Sequence, residues 1–72
     1  MVQIIQISFY DDGTGKFIKE WPNWMGVVPV VDDVVVLHSG DNNEEEHPYV
    51  VRIRAIDGTR PGRIKLFIKP IE

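Results

Sequence analysis

The stretch PYVVRIRAIDGTRPGRIKLFIKP, residues 48–70, decides the fold of this chain. Two segments that alternate between apolar and other residues, 48–56 and 63–70, flank a loop rich in turn-forming residues, a pattern that predicts a β-hairpin. Because neighbouring side chains on a strand point to opposite faces, one face of this hairpin is predicted to be apolar. Its residues are Tyr49, Val51, Ile53, Ala55, Ile64, Leu66 and Ile68.

The composition extends this β-structure to the whole chain. Ten valines and nine isoleucines stand against two leucines and one alanine, an excess of β-branched residues over strong helix formers. Three further strands are predicted at residues 2–10, 16–21 and 34–38, with Pro22 ending the second because it lacks a backbone donor. Residues 39–47 (SGDNNEEEH) are predicted to form an exposed polar loop.

Five short strands in 72 residues predict a single all-β domain over residues 1–72. Two arrangements are open, a small five-stranded antiparallel barrel or a strongly bent sheet. Closure into a barrel is favoured, because an open sheet leaves two unpaired edges and a broad apolar face in water.

Residues 29–37, PVVDDVVVL, are similar to the P-x-V-G-D-x-V-x-L segment of many SH3-like small β-barrels. Asp32 stands where those barrels usually have glycine, and the A-L-Y-D-Y run of signalling SH3 domains is absent, so binding of proline-rich peptides is not carried over. The resemblance implies an SH3-like barrel. The chain also looks like small bacterial and phage proteins built on that barrel, which implies an accessory or interaction role.

Disulfides and thiolate metal sites are excluded by the sequence, and a membrane span and secretion are disfavoured. The chain has no cysteine, so it has neither disulfides nor thiolate metal ligands. No apolar run reaches the roughly 18 residues that span a bilayer, and the first residues lack the basic segment of a secretory signal. We expect a cytoplasmic protein with no membrane partner and no cofactor.

Enzyme activity is not expected. Ser39 follows His38 directly, and adjacent residues on a strand face opposite ways, so no nucleophile and base pair forms there. The glycines at positions 13 and 15 sit in a hairpin and do not precede a helix, as a phosphate loop requires. His38, His47 and the glutamates 44–46 carry zinc-binding groups, but their spacing matches no ligand motif, and we predict no metal site.

Charge is distributed unevenly along the chain. Residues 1–47 have nine acids and two bases (−7), whereas residues 48–72 have six bases and two acids (+4). Arg52 and Arg54 are predicted to share the outward face of the fourth strand. With the outward face of the fifth strand they form a candidate nucleic-acid surface, namely Arg52, Arg54, Arg63, Lys65, Phe67 and Lys69. A solvated face neutralised by the acidic half is the other interpretation.

The loop after the second strand is unusually apolar, and its aromatic residues are candidate interface anchors. The alternative is that the tryptophans close one end of the barrel. Our leading hypothesis is a non-catalytic module that binds a protein partner through Trp21, Trp24, Met25, Arg52 and Arg54. The alternatives are nucleic-acid binding, a phage-type inhibitor whose acidic residues 32–46 mimic nucleic acid, and an architectural homo-oligomer.

Overall fold

One strongly curled mixed sheet, a half-barrel, accounts for the regular structure in this computed structural model, which describes residues 5–58 and 62–71. Within these ranges the sheet has five strands, so the all-β prediction is confirmed. They are β1 (Ile5–Asp11), β2 (Phe17–Trp24), β3 (Val34–Ser39), β4 (Glu45–Ile56) and β5 (Arg63–Pro70). Residues 2–4 of the predicted first strand lie outside the described residues.

The strand order is β2-β1-β5-β4-β3. It is the order of a five-stranded meander in which β1 pairs with β5 and β2 does not pair with β3. Successive strands of a meander reverse direction, so the first and fifth run the same way and must pair in parallel. Among the described residues, β1–β2, β3–β4 and β4–β5 are antiparallel, and β1–β5 is parallel. The sheet is therefore mixed, where the sequence analysis expected an antiparallel one.

The sheet is open between β2 and β3, its two edge strands. The lysine ammonium of Lys19 on β2 donates a hydrogen bond to the carbonyl of His38 on β3, with a distance of 2.9 Å. In the described residues this side chain bridges the two edges, where a closed barrel would have a backbone ladder. Of the two predicted arrangements, the strongly bent sheet is the one observed.

The core lies on the concave side of the sheet. Its buried members in the described chain are Ile7, Phe9, Val35, Leu37, Val51, Ile64, Leu66 and Ile68. β1 and β5 supply Ile7, Phe9, Ile64, Leu66 and Ile68, because these strands are central and have a neighbour on each side. The inward positions predicted for Val51 and for the apolar residues of β5 are confirmed.

A β-bulge in β4 overturns the rest of the predicted apolar face. The register shifts between Val51 and Ile53, so that Ile53 lies opposite Phe67 and Arg54 lies opposite the buried Leu66. One extra residue reverses which side chains face the core. Ile53 and Ala55 were predicted to point inward, and this is wrong, because both follow the bulge.

Pro22 does not end the second strand. β2 continues through it to Trp24, and the pairing of Ile5 with Trp24 and of Ile7 with Trp21 leaves one extra residue on β2. Proline is tolerated at such a bulge on an edge strand, since no ladder bond is lost. The predicted loop 39–47 is also shorter than expected, because Ser39 already pairs with Glu45.

We expect Phe9→Ala to reduce the free energy of unfolding by about 3–5 kcal/mol, because it empties a fully buried site. This approaches the whole stability of a domain of this size. The matched control is Phe17→Ala, whose side chain is 59% exposed, and which should cost less than about 1 kcal/mol. Urea unfolding measures both, and equal losses would contradict the placement of the core.

Candidate binding surfaces

The two tryptophans of β2 pack on each other and on the core. Their rings are stacked with centroids 4.4 Å apart, and the ring of Trp21 meets Phe9 edge to face at 4.7 Å. Both side chains are half-buried, and the indole N–H of Trp24 donates to the carbonyl of Val27 at 3.0 Å. This packing favours the interpretation of the tryptophans as a plug for one end of the half-barrel.

Exposed apolar side chains collect at that same end. Four of them lie on the connector between β2 and β3, which Trp24 holds against this end. We call the following residues the apolar end: Met25 (66% exposed), Val27 (88%), Val30 (49%) and Val31 (48%). Of the predicted protein-binding residues, the apolar end includes Met25.

The connector between β2 and β3 is held in place by hydrogen bonds. The amide of Asp32 donates to the carbonyl of Val51, and the amide of Val51 donates to the carbonyl of Asp33, each at 2.9 Å. The carboxylate of Asp33 accepts the amide of Val30 at 2.9 Å. Val28 meanwhile packs against the core. The backbone of Asp32 and Asp33 is thus tied to β4, and the valines at positions 30 and 31, just before them, remain on the surface.

A second exposed feature crosses the convex face of the sheet, on the side away from the core. Tyr10 stacks with Phe67 at a centroid distance of 5.5 Å and meets Phe17 edge to face at 5.8 Å. Ile53 lies opposite Phe67 on β4 and is half exposed. We call Phe17, Tyr10, Phe67 and Ile53 the convex row. The sequence placed only Phe67 of this row on the outward cationic face, although the inward position of Phe9 would have predicted an outward Tyr10.

Four cations surround the convex row within the described chain. Lys65 and Lys69 flank Phe67 along β5, and the ammonium of Lys65 lies 5.9 Å from the centre of the Tyr10 ring. Arg63 shares this face by alternation, and Arg52 is the extra residue of the β4 bulge, next to Ile53, the partner of Phe67. Arg54 lies opposite Leu66, so the prediction that Arg52 and Arg54 share one face is wrong. The bulge separates them.

Ser39, Glu45 and His47 meet at the β3–β4 turn, which the sequence analysis did not foresee. The hydroxyl of Ser39 lies 2.8 Å from Nε2 of His47 and donates to the carboxylate of Glu45 at 3.2 Å. That carboxylate is 3.6 Å from the same Nε2. A catalytic triad needs the carboxylate on the other ring nitrogen. The described residues contain no group of three or more metal-ligating side chains.

Neither a membrane-spanning helix in the described residues nor a similar protein points to a further site. Within residues 5–58 and 62–71, no helix is long and apolar enough to cross a membrane. No family model, no curated protein and no solved structure matches this chain.

Gly26→Ala should displace the stacked tryptophans, since a Cβ at this position would lie 2.7 Å from the six-membered ring of Trp24. Overpacking of this kind costs about 1–3 kcal/mol. We expect a lower melting temperature and a weaker exciton signal from the tryptophan pair in circular dichroism. Gly58→Ala is the control, because its Cβ would meet nothing within 4 Å. An unchanged exciton signal in Gly26→Ala would contradict the packing described here.

Proposed function

We propose that this chain is a non-catalytic protein-binding module whose contact surface is the apolar end. The observation that carries the proposal is the exposure of Val27, 88%, in a connector that also exposes Met25, Val30 and Val31. Grouped apolar surface of this kind is typical of interfaces, because its removal from water contributes about 25 cal/mol per Å².

Trp24 contributes to this surface by positioning it. Its hydrogen bond to the carbonyl of Val27 and its stacking on Trp21 hold the connector against the half-barrel. A loop that is ordered before binding loses less conformational entropy when the partner arrives. The two tryptophans thus support the connector from the core side, while Met25 and Val27 contact the partner protein.

The partner is expected to present a complementary apolar surface, since the exposed members of the apolar end are uncharged.

Acidic mimicry of nucleic acid by residues 32–46 is less well supported. Asp32 and Asp33 lie before β3 while Asp41, Glu44 and Glu45 follow it, and a six-residue strand separates the groups by about 20 Å. The acids therefore do not form one continuous strip.

The SH3-like identity belongs to the same proposal. Asp32 has a φ of 78°, in the left-handed region that glycine adopts without strain, and it occupies the position where SH3-like barrels usually have glycine. The conformation at this position supports the resemblance of residues 29–37.

The lack of catalysis is supported by the Ser39, Glu45 and His47 geometry, and the cytoplasmic location stays a prediction.

Val27→Asp should abolish or weaken partner binding while leaving the fold intact, because the side chain is exposed. A photo-crosslinking residue at position 27, used in cells, would identify the partner, and calorimetry with the purified partner would then give the affinity. Loss of a central interface residue costs about 2 kcal/mol or more, a roughly 30-fold weaker Kd.

The control for this experiment is Ile71→Asp. Ile71 is also an exposed apolar residue, but it follows β5 and its amide bonds to the carbonyl of Pro48, so it lies outside the connector. The affinity should stay within about twofold of the unchanged chain. Equal affinities of Val27→Asp and the unchanged chain would overturn the proposed surface.

A further inference from the structure

We propose that the convex row and its surrounding cations form a second binding site, which accepts single-stranded nucleic acid. The site is independent of the apolar end, as it lies on the face of the sheet and uses other residues. Its essential parts are the ring faces of Tyr10, Phe17 and Phe67 and the charges of Lys65 and Lys69.

The aromatic rings supply the surface on which bases stack. Tyr10 and Phe67 lie on adjacent strands and stack on each other with an interplanar angle of 27°, and Phe17 meets Tyr10 edge to face, so the three rings form one aromatic cluster. Phe17 extends it onto β2 and is 59% exposed. Tyr10 and Phe67 are half-buried, whereas Phe17 leaves most of its ring in water. Stacking on unpaired bases would remove this surface from water.

The cations stand where a phosphate backbone would run. Lys65 and Lys69 are each two residues from Phe67 along β5, which places them about 7 Å to either side of it. Arg52 is the extra residue of the β4 bulge and precedes Ile53, the partner of Phe67. Positive charges on both sides of an aromatic cluster can neutralise consecutive phosphates while the bases stack between them.

The acidic groups of the chain leave this site positively charged. On the convex face, Glu20 accepts hydrogen bonds from Gln6 and Ser8, and Glu46 lies opposite His38 at the sheet edge. The remaining described acids lie in the turns or near the strand ends. A negative net charge of −3 for the chain is therefore compatible with a local cationic face.

Single strands fit this site better than duplexes or acidic peptides. The bases of a duplex are already stacked on each other, so they cannot cover an aromatic row. An acidic peptide would satisfy the cations and leave the ring faces exposed. The site combines aromatic rings with positive charge. Unpaired nucleotides provide bases that stack on the rings and phosphates that pair with the cations.

The test is fluorescence anisotropy with labelled 12-nucleotide oligo(dT) and oligo(U), titrated with the full chain at several salt concentrations. We expect binding whose log K falls with log salt at a slope of about −2 to −3, from three or four phosphate contacts. Phe17→Ala should weaken binding about fivefold or more through lost stacking. Lys69→Gln should make the slope shallower by about 0.7.

Val34→Ala is the matched control, because Val34 is also 59% exposed and also faces the convex side, but lies off the row. Its affinity should equal that of the unchanged chain, and thermal melts verify that all variants are folded. The proposal is overturned by absence of binding at low salt, or by equal affinity of Phe17→Ala and Val34→Ala. Equally strong binding of a 12-base-pair duplex, or equal competition by polyglutamate, would show charge attraction alone and would also overturn it.

Discussion

The parallel pairing of β1 with β5 is the interaction on which the rest of the structure depends. It places Ile7 opposite Ile64 and Phe9 opposite Leu66, so the two central strands bury a continuous apolar surface. It also joins the first and last strands of the meander, and each outer strand then adds to an already buried centre. Without this ladder, the hairpin of β1 and β2 would lose its backbone pairing with the β3–β5 meander, because the sheet connects them here.

Irregularities in the ladders determine what the outer surface presents. The bulge in β4 turns Ile53 outward to meet Phe67, and the register shift after Phe9 sets Phe17 opposite Tyr10. Together these two shifts align the convex row across four strands. At the end of the sheet, a third irregularity near Pro22 lets β2 continue to Trp24, whose hydrogen bond to Val27 fixes the connector. The two proposed sites thus share a scaffold while using separate residues.

Much of the fold was predictable from the sequence, and the failures have physical causes. Alternation located β4 and β5 and their core faces as far as Val51, because periodicity reports burial directly. The face beyond Val51 was not predictable, since a bulge depends on cross-strand geometry that one strand does not show. Of the residues in the two proposed surfaces, Met25 and Phe67 were named from the sequence, but the grouping of Tyr10 and Phe17 with Phe67 was not predicted, because it arises only when β1 lies between β2 and β5. Arg54 was misplaced by the same bulge.

The order of contacts between β1 and β5, measured by nuclear Overhauser spectroscopy on the folded chain, tests the central claim most directly. A parallel ladder predicts that partner numbers rise together, with Ile7 near Ile64, Phe9 near Leu66 and Asp11 near Ile68. Partner numbers that fall along β1, or an absence of contacts between these two strands, would contradict the account.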